Sequence, residues 1–141
     1  MRKINIKTNF HQEFVDITSK IAELVDESDV RNGLCHLFCP HTTGGIIFNE
    51  NCDPDVCYDI GIVFDVLAPQ RPDFRHSEGN SPGHIKTSLV GSDHTLFIEN
   101  GKLVLGRWQG VFFAEFDGPR SRQLFVKIVG DAANYAVKSR K

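Results

Sequence analysis

The stretch HTLFIENGKLVLGRWQGVFFAEFDGPRSRQLFVKIV, residues 94–129, decides the fold. It holds apolar runs broken only by short turn signals, and no run carries a helical period. His94 to Glu99 and Lys102 to Trp108 flank Asn100-Gly101, a dipeptide suited to the positive backbone angles of a two-residue hairpin. Gly110 to Phe116 and Gln123 to Val129 follow, separated by Gly118-Pro119. This half of the chain therefore reads as antiparallel strands. Upstream, Lys3 to Thr8 and Glu13 to Ile17 alternate as two more strands. The period then changes: Ile17, Ile21, Leu24 and Val25 describe a short amphipathic helix with Thr18 as cap and Asn32-Gly33 as stop. Leu34 to Cys39 and Gly45-Ile46-Ile47-Phe48 read as buried strands.

A second helix is signalled by Asp53 as N-cap, Pro54 at the first helical position and Asp55 near the positive end of the dipole. Val56, Ile60, Val63, Phe64 and Leu67 form its apolar stripe, and it ends before Pro69. Ala68 to Gly83 is an aperiodic loop, long for a compact domain, and such loops are often functional. Ser81-Pro82 starts a short helix that stops at Gly91 and sets His84 and Ser88 on one face. The fold class is α+β: a single compact domain over residues 1–141, mostly antiparallel β-sheets with two or three short helices.

The 141 residues carry 16 Lys+Arg against 18 Asp+Glu, a formal charge of −2, which argues against a general nucleic-acid coat. There is no signal-peptide pattern and no apolar run of membrane-spanning length, so a soluble, cytoplasmic protein is expected, with no membrane or nucleic-acid partner. The cysteines 35, 39, 52 and 57 form no C-x-x-C and read as reduced, mostly packed thiols.

Three clusters carry candidate chemistry. His41 lies between two buried strands, His76 in the long loop and His84 in the first turn of the short helix. Three imidazoles suffice for a catalytic divalent ion, zinc first, and leave one position open; loop or capping histidines are the plain alternative. His11, His36 and His94 read as structural or exposed. Asn49 and Glu50 follow a buried strand directly, where a carboxylate can accept a proton; Asp53 and Asp55 are largely explained by capping. In the third cluster, Arg120 offers a planar fork for phosphate or carboxylate if its turn faces the histidines. Glu115, among Phe112, Phe113, Ala114 and Phe116, needs a partner or a raised pKa if buried, and is a candidate acid or base. Trp108-Gln109 can present an aromatic face and an amide to a planar ligand, although a lone Trp is more often core. Lys86 reads as a solvated lysine that could add positive charge near His84.

These motifs occur in a set order: His41-Thr42-Thr43, Asn49-Glu50-Asn51 with Asp53-Pro54-Asp55-Val56, His76, Gly83-His84-Ile85-Lys86 with Ser88-Leu89 and Gly91, Gly101-Lys102-Leu103 with Leu105-Gly106 and Trp108-Gln109, and Glu115-Phe116-Asp117-Gly118-Pro119-Arg120 with Arg122. In that order the chain closely resembles the YjbQ family, also called UPF0047, over nearly its whole length. The resemblance implies a trimeric α+β protein whose pocket holds histidines and a metal or anion, with secondary thiamine-phosphate synthase activity. Matching motif positions would put His41, His76 and His84 on the metal, with Asn49, Glu50, Asp53, Trp108, Gln109, Glu115 and Arg120 in the pocket. The chain departs from the family pattern at Pro82, where many members have a second His, at Arg107 in place of a small residue, and at Gly44-Gly45 in place of larger or Ala-type residues.

Two functions follow as expectations. One is a metal-dependent enzyme acting on a small phosphorylated molecule, with Glu115 or Glu50 moving a proton and Arg120 holding an anionic group. The other is a non-catalytic homotrimer that binds a metal or phosphorylated metabolite.

Overall fold

The computed structural model describes residues 1–132, so the last nine residues of the expected 1–141 domain lie outside the described residues. The elements run β1 (Arg2–Lys7), β2 (Glu13–Asp16), α1 (Thr18–Asp26), β3 (Gly33–Phe38), β4 (Gly44–Glu50), α2 (Pro54–Leu67), α3 (Ser81–Val90), β5 (Asp93–Glu99), β6 (Lys102–Leu103), β7 (Gln109–Glu115) and β8 (Ser121–Gly130). This is the expected α+β class. Two antiparallel sheets form: five strands in the order β1-β8-β3-β5-β6, and three in the order β2-β7-β4. Among the described residues no helix is long and apolar enough to cross a membrane.

Period-two alternation puts one face of each sheet into a shared core. Ile4, Ile6, Cys35, Leu37, Leu96, Ile98, Leu124 and Val126 enter it from the large sheet, and Ile46, Val111 and Phe113 from the small one. Ile17, Ile21 and Val25 join them from α1 and its N-terminal flank. Each such side chain contributes about 1.5–3 kcal/mol when fully buried. On its other face the small sheet meets α2, where Phe64 packs with Phe14 and Phe116 at ring-centroid distances of 5.7–6.3 Å.

Two glycines let α3 lie close against the small sheet. A Cβ on Gly45 would stand 2.5 Å from Val90 Cγ2 and 2.7 Å from the Gly91 carbonyl, and one on Gly83 would stand 3.0 Å from the Phe116 carbonyl. Gly91 ends the helix at φ +87°, a conformation that glycine adopts without strain.

Several local expectations need correction. Thr18 is the first helical residue of α1, not its cap; Asp16 Oδ1 accepts from both its backbone N–H and its hydroxyl. That helix stops at Asp26, well before Asn32-Gly33, and β6 is two residues long. Leu34 and Phe38 alternate outward and are exposed, so β3 is buried on one face only. Asp53 does cap α2, its Oδ1 accepting from Asp55 N at 2.9 Å. The expected inward stripe of that helix is half wrong: Val63 and Leu67 are exposed, with Tyr58, Ile62 and Val66 beside them. Cys35 and Cys39 are packed thiols, and burial pushes Cys35 up to about 11, but Cys52 is exposed; all four are free.

Where the sheets meet, Glu115 of β7 points into the core, fully buried, and accepts a fork of hydrogen bonds from Arg122 of β8: Nε to Oε2 at 2.8 Å and Nη2 to Oε1 at 2.5 Å. The Thr8 hydroxyl donates to Oε2 at 3.0 Å, and the backbone N–H groups of Phe116 and Asp117 donate to Oε1. Arg122 also donates to the Thr43 hydroxyl at 2.8 Å and to the Thr43 carbonyl. Removing one partner of such a pair strands a buried charge, so Glu115→Gln is expected to cost about 3 kcal/mol in urea unfolding at pH 7. Burial pushes the Glu115 carboxyl up, but the bonds from Arg122, Asp117 N and Thr8 outweigh it and hold the group below its ordinary 4.5. A depressed folded-state pKa gives stability that is present above 4.5 and lost as pH falls below it, so acid titration should destabilise the wild type more steeply than Glu115→Gln.

Candidate functional site

The Arg122 anchor also fixes the first histidine. The next residue, Gln123, donates its backbone N–H to His41 Nε2 at 2.9 Å, so in the neutral ring Nε2 accepts and the proton sits on Nδ1. Burial lowers the His41 pKa from 6.5 and the nearby Arg122 charge adds to this, against the pull of the Glu115 carboxylate. His41 lines an open cleft of about 570 Å³ with Cys39, Thr42, His84, Ser88 and Ser92.

The opposite wall of this cleft is α3. His84 sits in its first turn, and the Ser88 hydroxyl donates back to the His84 carbonyl at 2.9 Å. His84 also faces a smaller, about 340 Å³ cleft that it shares with Phe74, Arg75 and His76. The His76 and His84 rings are edge to face, with centroids 5.1 Å apart. Two imidazoles on a tetrahedral zinc, with Zn–N near 2.1 Å, have ring centres about 5 Å apart, the same separation as in this pair. His41 does not join them closely: among the described residues no three His, Cys, Asp or Glu side chains converge to hold a metal.

The other candidates fall into separate places. Asn49, Glu50, Asp53, Trp108 and Gln109 gather at the far end of the small sheet, where Glu50 is in register with Gln109 and Asn51 N donates to the Trp108 carbonyl. The seven residues of β4 put about 20 Å between this end and the Thr43 end. There Asn49 and Gln109 bond locally, to Glu50 N and Gly106 N, and Trp108 is exposed, with Arg107 5.0 Å from its ring centre. Arg120, expected as an anion clamp, spends its fork on Asp117: Nη2 on the carboxylate and Nε on the carbonyl, both at 2.7 Å. Glu115 has its partner, but the partner is Arg122 and all its bonds are internal.

Sequence reasoning missed Arg122, Thr8 and Thr43. The parity of Arg122 with the inward Leu124 and Val126 is the signal that could have found the first. It also misread Lys86, which is buried and not solvated. His94, read as structural, donates from Nε2 to the Ile46 carbonyl at 2.9 Å and stacks on Phe48. Because a charged His41 would lose its bond from Gln123 N, its ring is expected to titrate below 6.5 by heteronuclear NMR, with the proton on Nδ1. Its depressed pKa adds stability above 6.5 that is lost as pH falls through the folded value; a normal titration would contradict this environment.

The comparisons with known proteins agree with this architecture. The family model for UPF0047 protein YjbQ-like matches residues 2–131. A UPF0047 protein of Methanocaldococcus jannaschii is 53% identical over 129 residues, covering 92% of this chain and 94% of its own. UPF0047 protein YugU of Bacillus subtilis is 43% identical, covering 92% and 99%. The crystal structure of a YjbQ/UPF0047 family protein from Clostridium acetobutylicum superposes with a TM-score of 0.89 at 52% identity, covering 92% of this chain and all of that one. A conserved hypothetical protein from Thermus thermophilus gives 0.85 at 42% identity, with 92% and 100% covered. On family model, sequence and fold alike, the chain belongs to the UPF0047, YjbQ-like family.

Proposed function

We propose that the chain is a metal-dependent enzyme acting on a small phosphorylated molecule in the His41–His84 cleft. The observation that carries this reading is the position of His84, shared between two clefts with the His76 ring 5.1 Å away. In this reading His76 and His84 hold a divalent ion, zinc first, with further ligands from substrate or a second copy of the chain. Bound there, the ion supplies Lewis acidity toward a phosphoryl oxygen. His41, neutral and protonated on Nδ1, donates to the substrate, and the hydroxyls of Thr42 and Ser92 line the same cleft as donors for phosphate oxygens. Glu115 and Arg122 position the Thr43 and Gln123 backbone that carries His41. Thiamine-phosphate synthesis, joining a pyrimidine pyrophosphate to a thiazole phosphate with loss of pyrophosphate, is the first reaction to assay.

We further propose a homotrimer. Two different apolar surfaces support it: Tyr58, Ile62 and Val66 on α2, with Val66 74% exposed, and Phe38, Phe97 and Val129 on the outer face of the large sheet, with Phe97 68% exposed. Asp55 and Asp59 flank the first, while Lys3 and Lys127 stand on the second, Lys3 with its ammonium 5.3 Å from the Phe125 ring centre. Unlike surfaces meet head to tail, and such contacts form a ring where the rotation closes.

Elemental analysis of untagged protein is expected to find zinc or a related ion, with binding at least about tenfold weaker in His76→Ala and His84→Ala and turnover lost in both. Wild type that neither carries nor takes up a divalent ion would overturn the reading, and tight binding with no conversion of any phosphorylated substrate would favour the binding protein instead. Sedimentation should show a trimer that Ile62→Glu or Phe97→Glu converts to folded monomer; a monomeric wild type would remove the assembly.

A further inference from the structure

On the other side of α3 lies a cleft of about 440 Å³ that shares no lining residue with either histidine cleft. His84 and Lys86 are two positions apart, about 200° around the helix, so α3 is the partition between them. The Lys86 side chain is 5% exposed on this second side. Its ammonium donates to Asp65 Oδ1 at 2.6 Å and to Gln12 Oε1 at 2.7 Å, which commits two of its three N–H groups. Asn80, at the N-terminal end of α3, lines the same cleft and donates through Nδ2 to Asp117 Oδ2 at 3.0 Å. That bond fixes which end of the amide faces the carboxylate, and leaves Asn80 Oδ1 buried and without a partner among the described residues.

We propose that this cleft binds a small neutral molecule presenting a carbonyl beside an N–H, as a lactam, pyrimidinone or carboxamide does. The carbonyl accepts the remaining Lys86 proton and the N–H answers the orphaned Asn80 oxygen. A buried ammonium alone would suit an anion, but Asp65 already pairs with it, Arg120 is paired with Asp117, and Glu78 lines the cleft beside His11, so no unpaired Lys or Arg charge is left for an anionic ligand. Pro69 and Pro82 line the cleft and supply apolar surface for a flat molecule, above the packed Phe116 ring 5.9 Å from the Lys86 ammonium. The site is independent of the metal reading, since neither histidine cleft contributes to it.

The test is an NMR titration of the isotopically labelled protein with uracil, nicotinamide, inorganic phosphate and acetate. The two amides should shift the Gly79, Gly83 and Asn80 side-chain signals saturably in the range of about 1–10 mM, the affinity expected of fragments this small. Phosphate and acetate should not. Lys86→Met and Asn80→Ala should each weaken the amides at least about fivefold, and Lys20→Met, the same change at an exposed lysine, should leave them unaltered. Should Lys86→Met fail to fold, Asn80→Ala decides alone. No saturable shift, stronger shifts with phosphate than with amides, or undiminished binding in Asn80→Ala would each overturn the proposal.

Discussion

The two sheets meet through one charged pair, and the placement of the candidate site depends on it. Glu115 ends the central strand of the small sheet, Arg122 is the second residue of β8 in the large one, and their fork is completed by Thr8 and Thr43. Five donors converge on the carboxylate, so its burial does not leave an unsatisfied charge. Thr43 and Gln123, on either side of the pair, carry the backbone next to His41, and Gln123 then sets that ring's tautomer. A carboxylate occupied in this way serves the site by holding it in register.

Helix α3 is the second organising element. Its approach to the small sheet is close because Gly45 and Gly83 present no Cβ, and this approach creates a cleft on each of its sides. One side offers imidazoles and hydroxyls, chemistry suited to a cation and a phosphate. The other offers a paired ammonium, carboxylates and an amide with one free end, chemistry suited to a neutral polar molecule. Pro82 sits in the first turn of α3 and lines the amide side.

Much of the fold was legible because its signals are local. Asp53-Pro54 announces a helix start, Asn100-Gly101 a hairpin, and alternation along Leu124, Val126 and Ile4, Ile6 an inward face. Exposure was less legible. Tyr58, Ile62 and Val66 satisfy a helical period whether they meet their own core or another molecule, and sequence alone cannot separate those cases. Of the candidate site, the need of Glu115 for a partner was readable, but Arg120 and Arg122 differ by two positions, and only the neighbouring Pro119 turn and β8 register decide which one turns inward. The His76 and His84 rings lie side by side; that His41 stands across a cleft from His84, and the Trp108 end about 20 Å away along β4, are tertiary facts carried by no local pattern.

The central chemical claim is that His76 and His84 form two ligands of one ion. Diffraction from crystals of the untagged protein, recorded on both sides of the zinc absorption edge, addresses it directly. An anomalous peak about 2.1 Å from a ring nitrogen of each histidine is expected. Rings that stay in van der Waals contact with no peak between them, in crystals grown with zinc, would contradict it.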